Sequence, residues 1–171
     1  MLNNKTVAIA MSGGVDSSVA AALLLQKGYK VIGITMRLWV DKQANVPMEQ
    51  LVSAEKDAAT VASLLGIEHH ILDFNDFFRK TVVQYFLNEY KAGRTPNPCV
   101  FCNKKVKFGA LYDKARELGA DYLATGHYAT TTELDGLTWL STAKDHVKDQ
   151  TYFLGQISYM QVSKLMFPIG D

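Results

Sequence analysis

The chain has 171 residues, 48% of them hydrophobic, and a formal net charge of +1 at pH 7. That is enough apolar material for one domain with a real core and too little for a membrane protein; no apolar run approaches the roughly 20 residues that span a bilayer. A charge so near zero does not by itself call for a polyanionic partner. Two cysteines without a secretory leader argue against a disulfide framework, so a cytoplasmic protein is expected.

Residues 5–11 read as a short buried strand that stops at Ser12-Gly13-Gly14. A helical pattern follows over residues 17–26, to a glycine stop at Gly28. Such a strand–turn–helix joint leaves backbone N–H groups aimed at one point, with the positive end of a helix behind them, which suits a pyrophosphate. Gly13 and Gly14 let the backbone bend and approach an anion closely. Ser12, Ser17 and Ser18 add hydroxyl donors, and Asp16 is placed either to hold Mg²⁺ or to cap the helix. The loop is not a Walker A motif, since no Lys followed by Ser or Thr comes after its last glycine. Nor is it the dinucleotide fingerprint, since G-x-G-x-x-G is missing.

Residues 31–36 predict a second strand, and residues 39–47 are polar and irregular. Leu51, Ala54, Ala58, Val61, Ala62 and Leu65 follow helical spacing up to Gly66. Residues 70–74 predict a third strand, after which Asn75 is placed to cap an amphipathic helix bearing Phe78, Val82, Tyr85, Phe86 and Glu89. Pro96 and Pro98 make residues 93–103 a rigid loop. Phe108, Leu111, Tyr112, Ala115 and Leu118 predict the next helix, residues 122–125 a fourth strand, and Asp135-Gly136 a hairpin turn. Residues 152–157 and 160–167 read as helical. Strands alternating with helices predict an α/β fold: a doubly wound, mostly parallel, Rossmann-like sheet with helices on both faces and ligands beyond the C-terminal strand ends. Lys91, Arg94, Lys104, Lys105, Lys107, Lys114 and Arg116, with Asp113 the one acid among them, form either a nucleic-acid face or an ordinary solvated surface.

Both cysteines lie in Asn97-Pro98-Cys99-Val100-Phe101-Cys102, followed by Lys104 and Lys105. Nearby cations lower a thiol pKa and make thiolate available. The pair is also readable as half of a zinc site completed by His69, His70, His127 or His146, as a redox pair, as two inert thiols, or as partial ligation of an iron–sulfur cluster, which takes three or four thiolates.

The string Ser12-Gly13-Gly14-Val15-Asp16-Ser17 resembles the PP-loop of the ATP pyrophosphatases, which cleave ATP between the α- and β-phosphates. Pro96-Asn97-Pro98 with Cys102-Asn103-Lys104, Ala124-Thr125-Gly126-His127-Tyr128, Lys148-Asp149-Gln150-Thr151-Tyr152 and Phe167-Pro168-Ile169-Gly170 narrow the resemblance. Together they are similar to the bacterial tRNA-specific 2-thiouridylases of the MnmA type, over essentially the whole chain. The resemblance implies ATP-dependent thiolation of the wobble uridine of tRNA, with Mg²⁺ and a persulfide sulfur-donor protein. It implies a PP-loop ATP-binding catalytic domain over residues 1–171. Ala10, Met11, Ser12, Gly13, Gly14, Val15, Asp16 and Ser17, with Met36 and Gly126, would bind ATP. Cys102 would be the active thiol. Asn97, Pro98, Cys99, His127, Lys148, Asp149 and Gln150 would contact tRNA. Many members carry Asp where this chain has Cys99, so Cys99 can serve in catalysis only as thiol or thiolate, or as a metal or cluster ligand. The family continues past Gly170 into a central domain with a further persulfide-carrying Cys and a β-barrel, so a fragment is expected here. The alternatives are a PP-loop ligase that adds ammonia, a non-catalytic adenine-nucleotide module, and an RNA-binding or zinc-stabilised scaffold.

Overall fold

A computed structural model describes residues 4–39 and 48–171; most of the irregular stretch expected over residues 39–47 lies outside them. Five parallel strands form one sheet in the order β3-β2-β1-β4-β7. They are β1 (Thr6–Ala10), β2 (Lys30–Arg37), β3 (Glu68–Asp73), β4 (Tyr122–Ala124) and β7 (Leu165–Met166). The chain runs outward from β1 through β2 to β3, then returns to lay β4 on the other side of β1. The order therefore reverses between β1 and β4, which is where open α/β sheets bind ligands.

Alternation along β1 decides what each face carries. Val7 and Ile9, with Met11 beyond, pack with Ala20, Ala21 and Leu24 of α1 (Val15–Gln26) and Ala58 and Ala62 of α2 (Met48–Leu65). Ala8 points the other way, into a larger cluster with Ile34, Val106, Phe108, Leu111 and Leu123. Helices thus cover both faces, and the expected fold class is the one observed.

Two long helical rods build the second face, and both change pitch midway. In the first, α3 (Asn75–Phe78) passes through a π-helical turn, Arg79–Val83, into α4 (Gln84–Lys91). Asn75 does not cap it: Asp73 Oδ1 accepts from the Asn75 backbone and side-chain amides at 2.9 and 2.8 Å. The second rod, α5 (Pro98–Cys102), π-helix Asn103–Leu111 and α6 (Tyr112–Glu117), begins ten residues before the expected helix. The rigid loop therefore ends at Asn97, whose Oδ1 accepts from Val100 N at 3.1 Å. Pro98 takes the first helical position, where a missing N–H costs nothing.

The expected hairpin is present as β5 (Thr130–Leu134) and β6 (Leu137–Ser141). The expected C-terminal helices are not. Thr151–Leu154 is a 3₁₀ turn, and a capping box at Ser158 and Gln161 starts only the four-residue α7 (Tyr159–Val162). Leu165–Met166 then turns extended because the open edge of β4 offers it a ladder: Leu123 N donates to Lys164 O and Thr125 N to Met166 O. No helix among the described residues is long and apolar enough to cross a membrane.

Leu111 is fully buried in the second cluster. Leu111→Ala should cost about 2–5 kcal/mol, read as a lower urea midpoint at unchanged slope.

Candidate functional site

The loop between β1 and α1 is held by its own serines. Ser17 Oγ and Ser18 Oγ both donate to Gly14 O, at 3.0 and 2.9 Å, and Ser12 N donates to Ser17 Oγ at 3.3 Å. The protons of Ser17 and Ser18 are thereby committed; Ser12, the exposed one of the three, accepts at Oγ from Gly14 N at 3.4 Å and donates to Ser17 Oγ at 3.4 Å. Gly13 has φ +80°, and a Cβ there would lie 2.6 Å from Ala54 O, so the turn needs glycine both for conformation and for closeness to α2. Among the described residues, the N–H groups of Gly13, Val15, Asp16 and Ser17 have no protein acceptor. Asp16 does not cap the helix; its Oδ1 accepts from Tyr128 Oη at 3.3 Å. Ala10 ends β1, and Met11 is buried in the first core cluster, so Met11 offers the loop its backbone alone.

The opposite wall follows β4. A Cβ on Gly126 would stand 2.7 Å from Ser17 N, so the bare backbone of Gly126 lies against the first turn of α1. Next along the chain, His127 places Nδ1 2.7 Å from Thr125 Oγ1 and Nε2 3.4 Å from Lys107 Nζ. With Lys107 donating to Nε2, the neutral ring carries its proton on Nδ1 and donates it to Thr125. Burial, and then the charge of Lys107, push the His127 pKa down to about 3.

Cys99 is exposed and Cys102 half-buried; both are free thiols on the opening turn of α5. The expected activation by Lys104 and Lys105 does not hold. Those side chains are exposed, and burial raises the Cys102 pKa. The cation that opposes this is Lys107. Lys148 and Gln150, expected from the resemblance to contact tRNA, form a latch on Tyr128. Gln150 N donates to Tyr128 O at 2.8 Å, Tyr128 N donates to Gln150 Oε1 at 3.0 Å, and Lys148 Nζ lies 3.4 Å from Tyr128 Oη. Asp149 is spent on the chain itself: Oδ2 accepts from Ala143 N and Oδ1 from Thr151 N and Oγ1. Its pKa is lowered chiefly by the Thr151 hydroxyl. Asn97 and Pro98 form the start of α5, and Met36 packs half-buried against the second core cluster.

The structure therefore gathers the loop, Gly126, His127, Tyr128 and Lys148. Lys107 then ties His127 to the helix that carries the thiols. Sequence reasoning counted Lys107 only in a basic run and missed Thr125 and Thr35. Thr35 Oγ1 donates to Met11 O at 2.9 Å and lies 2.8 Å from His69 Nε2, bracing the loop's entry. That bond engages Nε2 of His69. Among the described residues, no three His, Cys, Asp or Glu side chains gather as a metal would require.

A family profile described as tRNA methyl transferase HUP domain matches residues 5–171. The chain belongs to that family. The curated relatives similar to it include the tRNA-specific 2-thiouridylase MnmA of Clostridium kluyveri, 47% identical over 97% of this chain and 48% of the relative. The protein of the same name from Bacillus velezensis is 52% identical over 96% and 44%. The chain thus spans about half the length of the curated relatives it matches. A solved structure described as a predicted subunit of tRNA methyltransferase from Methanocaldococcus jannaschii aligns with a TM-score of 0.54 and 21% identity, over 96% of this chain and 68% of that one. At that identity the likeness is one of fold, and it agrees with the HUP-domain sheet.

The unfolded imidazole takes up its proton near pH 6.5, the folded His127 only near 3. Between those values the unfolded chain binds more protons, so this residue's contribution to stability falls as the pH drops. Urea unfolding at pH 7 and pH 4.5 should show a larger loss in the wild type than in His127→Gln; equal losses would contradict the buried neutral ring.

Proposed function

We propose that this chain is the ATP-binding, base-activating PP-loop domain of a cytoplasmic enzyme that thiolates the wobble uridine of tRNA. The observation that carries the reading is the contact between Gly126 and the start of α1. It sets the exit of β4 against the start of α1 at the sheet's reversal point, with the unpaired amides on one side and the thiol helix tied to the other through Lys107 and His127. The names of the relatives point the same way, and they name transfer of sulfur.

The residues fit ATP. The amides of Gly13, Val15, Asp16 and Ser17, which find no acceptor among the described residues, and the exposed Ser12 are the donors this reading assigns to its phosphates, at the positive end of α1. Asp16, exposed and only lightly engaged by Tyr128, is the carboxylate available to a phosphate-bound Mg²⁺. The residues do not fit an iron–sulfur cluster, since two thiols fall short of its ligand set and no third group joins them among the described residues.

In this reading the uridine C2 oxygen attacks the α-phosphorus and pyrophosphate leaves. The terminal sulfur of a donor persulfide then attacks C2, and the C2–oxygen bond breaks as AMP departs; the Cys102 thiolate attacks the donor's inner sulfur, so that the S–S bond breaks, the outer sulfur stays on C2 and Cys102 is left in a disulfide with the donor thiol. The chain contributes position and charge: fixed amides for the developing phosphate charge, a neutral His127 beside the reacting centre, and the Cys102 thiol on the far side. Tyr128, Lys148 and Cys99, the exposed residue of the first turn of α5, are the groups this reading assigns to an extruded base and its backbone. Asp149 and Gln150 act indirectly, by holding that surface in shape.

Ser12→Ala should weaken binding of α,β-methylene-ATP by about tenfold or more, as expected for one hydrogen bond to a charged group, in calorimetry. Gly126→Ala should weaken it more, because the added methyl displaces the start of α1. Unchanged affinity in both variants would remove the nucleotide reading. Release of pyrophosphate only when uridine-bearing tRNA is present would separate the enzyme from a nucleotide-binding module.

A further inference from the structure

Lys107 is the residue of this site whose charge the fold leaves unanswered. Its side chain is half-buried, and among the described residues no Asp or Glu lies within ion-pair reach of it, whereas Arg37, Arg94 and Lys114 each have one. Its one hydrogen-bond contact among the described residues is the neutral His127 Nε2 at 3.4 Å. An ammonium has three N–H donors, so capacity for an acceptor remains. Holding a cation partly out of water without a counter-charge costs stability, and burial accordingly lowers the Lys107 pKa.

The backbone is wound to put it there. In an α-helix, five residues beyond Cys102 would turn Lys107 about 140° away from the thiol. The π-helix Asn103–Leu111 pairs i with i+5 and brings the two nearly into line. His127 then fixes the ammonium from the other side. Its ring is oriented by Thr125, and it directly follows Gly126, whose backbone touches Ser17 of the cradle.

We propose that Lys107 is a phosphate-contacting residue, its ammonium aimed by His127 to receive the α-phosphate oxygens of an adenine nucleotide on the thiol side of the cradle. This rests on the ATP reading above. It gives the ammonium the anion that the protein withholds, and it sets the reacting phosphorus between the loop amides and Cys102.

The test is calorimetry of the whole chain with α,β-methylene-ATP and with adenosine, which lacks phosphate. Lys107→Met keeps the aliphatic stem and should weaken the methylene analogue at least tenfold while changing adenosine less than twofold; Lys107→Arg should restore most of the loss. Analogue binding by Lys107→Met within twofold of the wild type overturns the proposal, and so does an equal loss for adenosine. A wild-type chain that does not bind the analogue refutes the ATP reading itself, a different outcome. Should Lys107→Met fail to fold, the ¹³Cε resonance of Lys107 in the wild type, assigned by its loss in Lys107→Arg, decides. It must shift with the analogue and stay still with adenosine; a resonance that ignores the analogue overturns the proposal.

Discussion

Gly126 and the first turn of α1 meet backbone to backbone, and the site depends on that contact. Any side chain at position 126 would occupy the space beside Ser17 N, and the amides at the helix start would lose their shared direction. Those N–H groups are costly to leave unmade inside a protein. Gly13, Val15, Asp16 and Ser17 begin the helix at the reversal of strand order, and Val15 and Asp16 are exposed there. Gly13 applies the same constraint from beneath, pressed on the carbonyl of Ala54 in α2. The loop is thus clamped between two helices and the β4 exit, and only its inner face is free.

Around that clamp the electrostatics are arranged in opposition. Burial disfavours charge on Cys102, Lys107 and His127 alike, and the three respond differently. The imidazole stays neutral and becomes an acceptor. The thiol is held back from ionising by its surroundings and drawn towards it by the ammonium. Outside, Tyr128 joins the Asp16 carboxylate to the Lys148 ammonium, with the lysine also 5.0 Å from the centre of its ring. The inner group therefore keeps one cation beside two neutral partners, whereas the outer one pairs a carboxylate with an ammonium at the surface.

Much of this was legible in the sequence. The alternation of Val7, Ala8 and Ile9, the Ser-Gly-Gly turn and the glycine stops all act locally, so strands, helices and the cradle could be read in order. The C-terminal segment could not be read this way: Leu165 and Met166 become a strand only because β4 has an open edge, a demand from 42 residues away in the chain. The cysteine helix was concealed by Pro98, which marks loops in general and helix starts in particular. Lys107 was invisible as a site residue because helical spacing turns it away from Cys102, and no local signal announces the π winding that turns it back. Asp149 and Gln150 lie where the family motif put them, yet they hold the chain's own turn in place.

The strand order also sets a sequence of events in folding. β1, β2 and β3 are neighbours made from consecutive chain, and they can pair with α1 and α2 as soon as they are synthesised. The wall facing the loop needs β4, and the bonds that dock it, Lys5 to Asp121 and Thr6 N to Asp121, close over separations of 116 and 115 residues. Closure entropy rises only slowly with such length, but contacts this remote form late. The β1–α1 loop therefore stands far earlier in the chain than the wall that faces it, and a chain stopped before β4 would carry that loop without Gly126 against it.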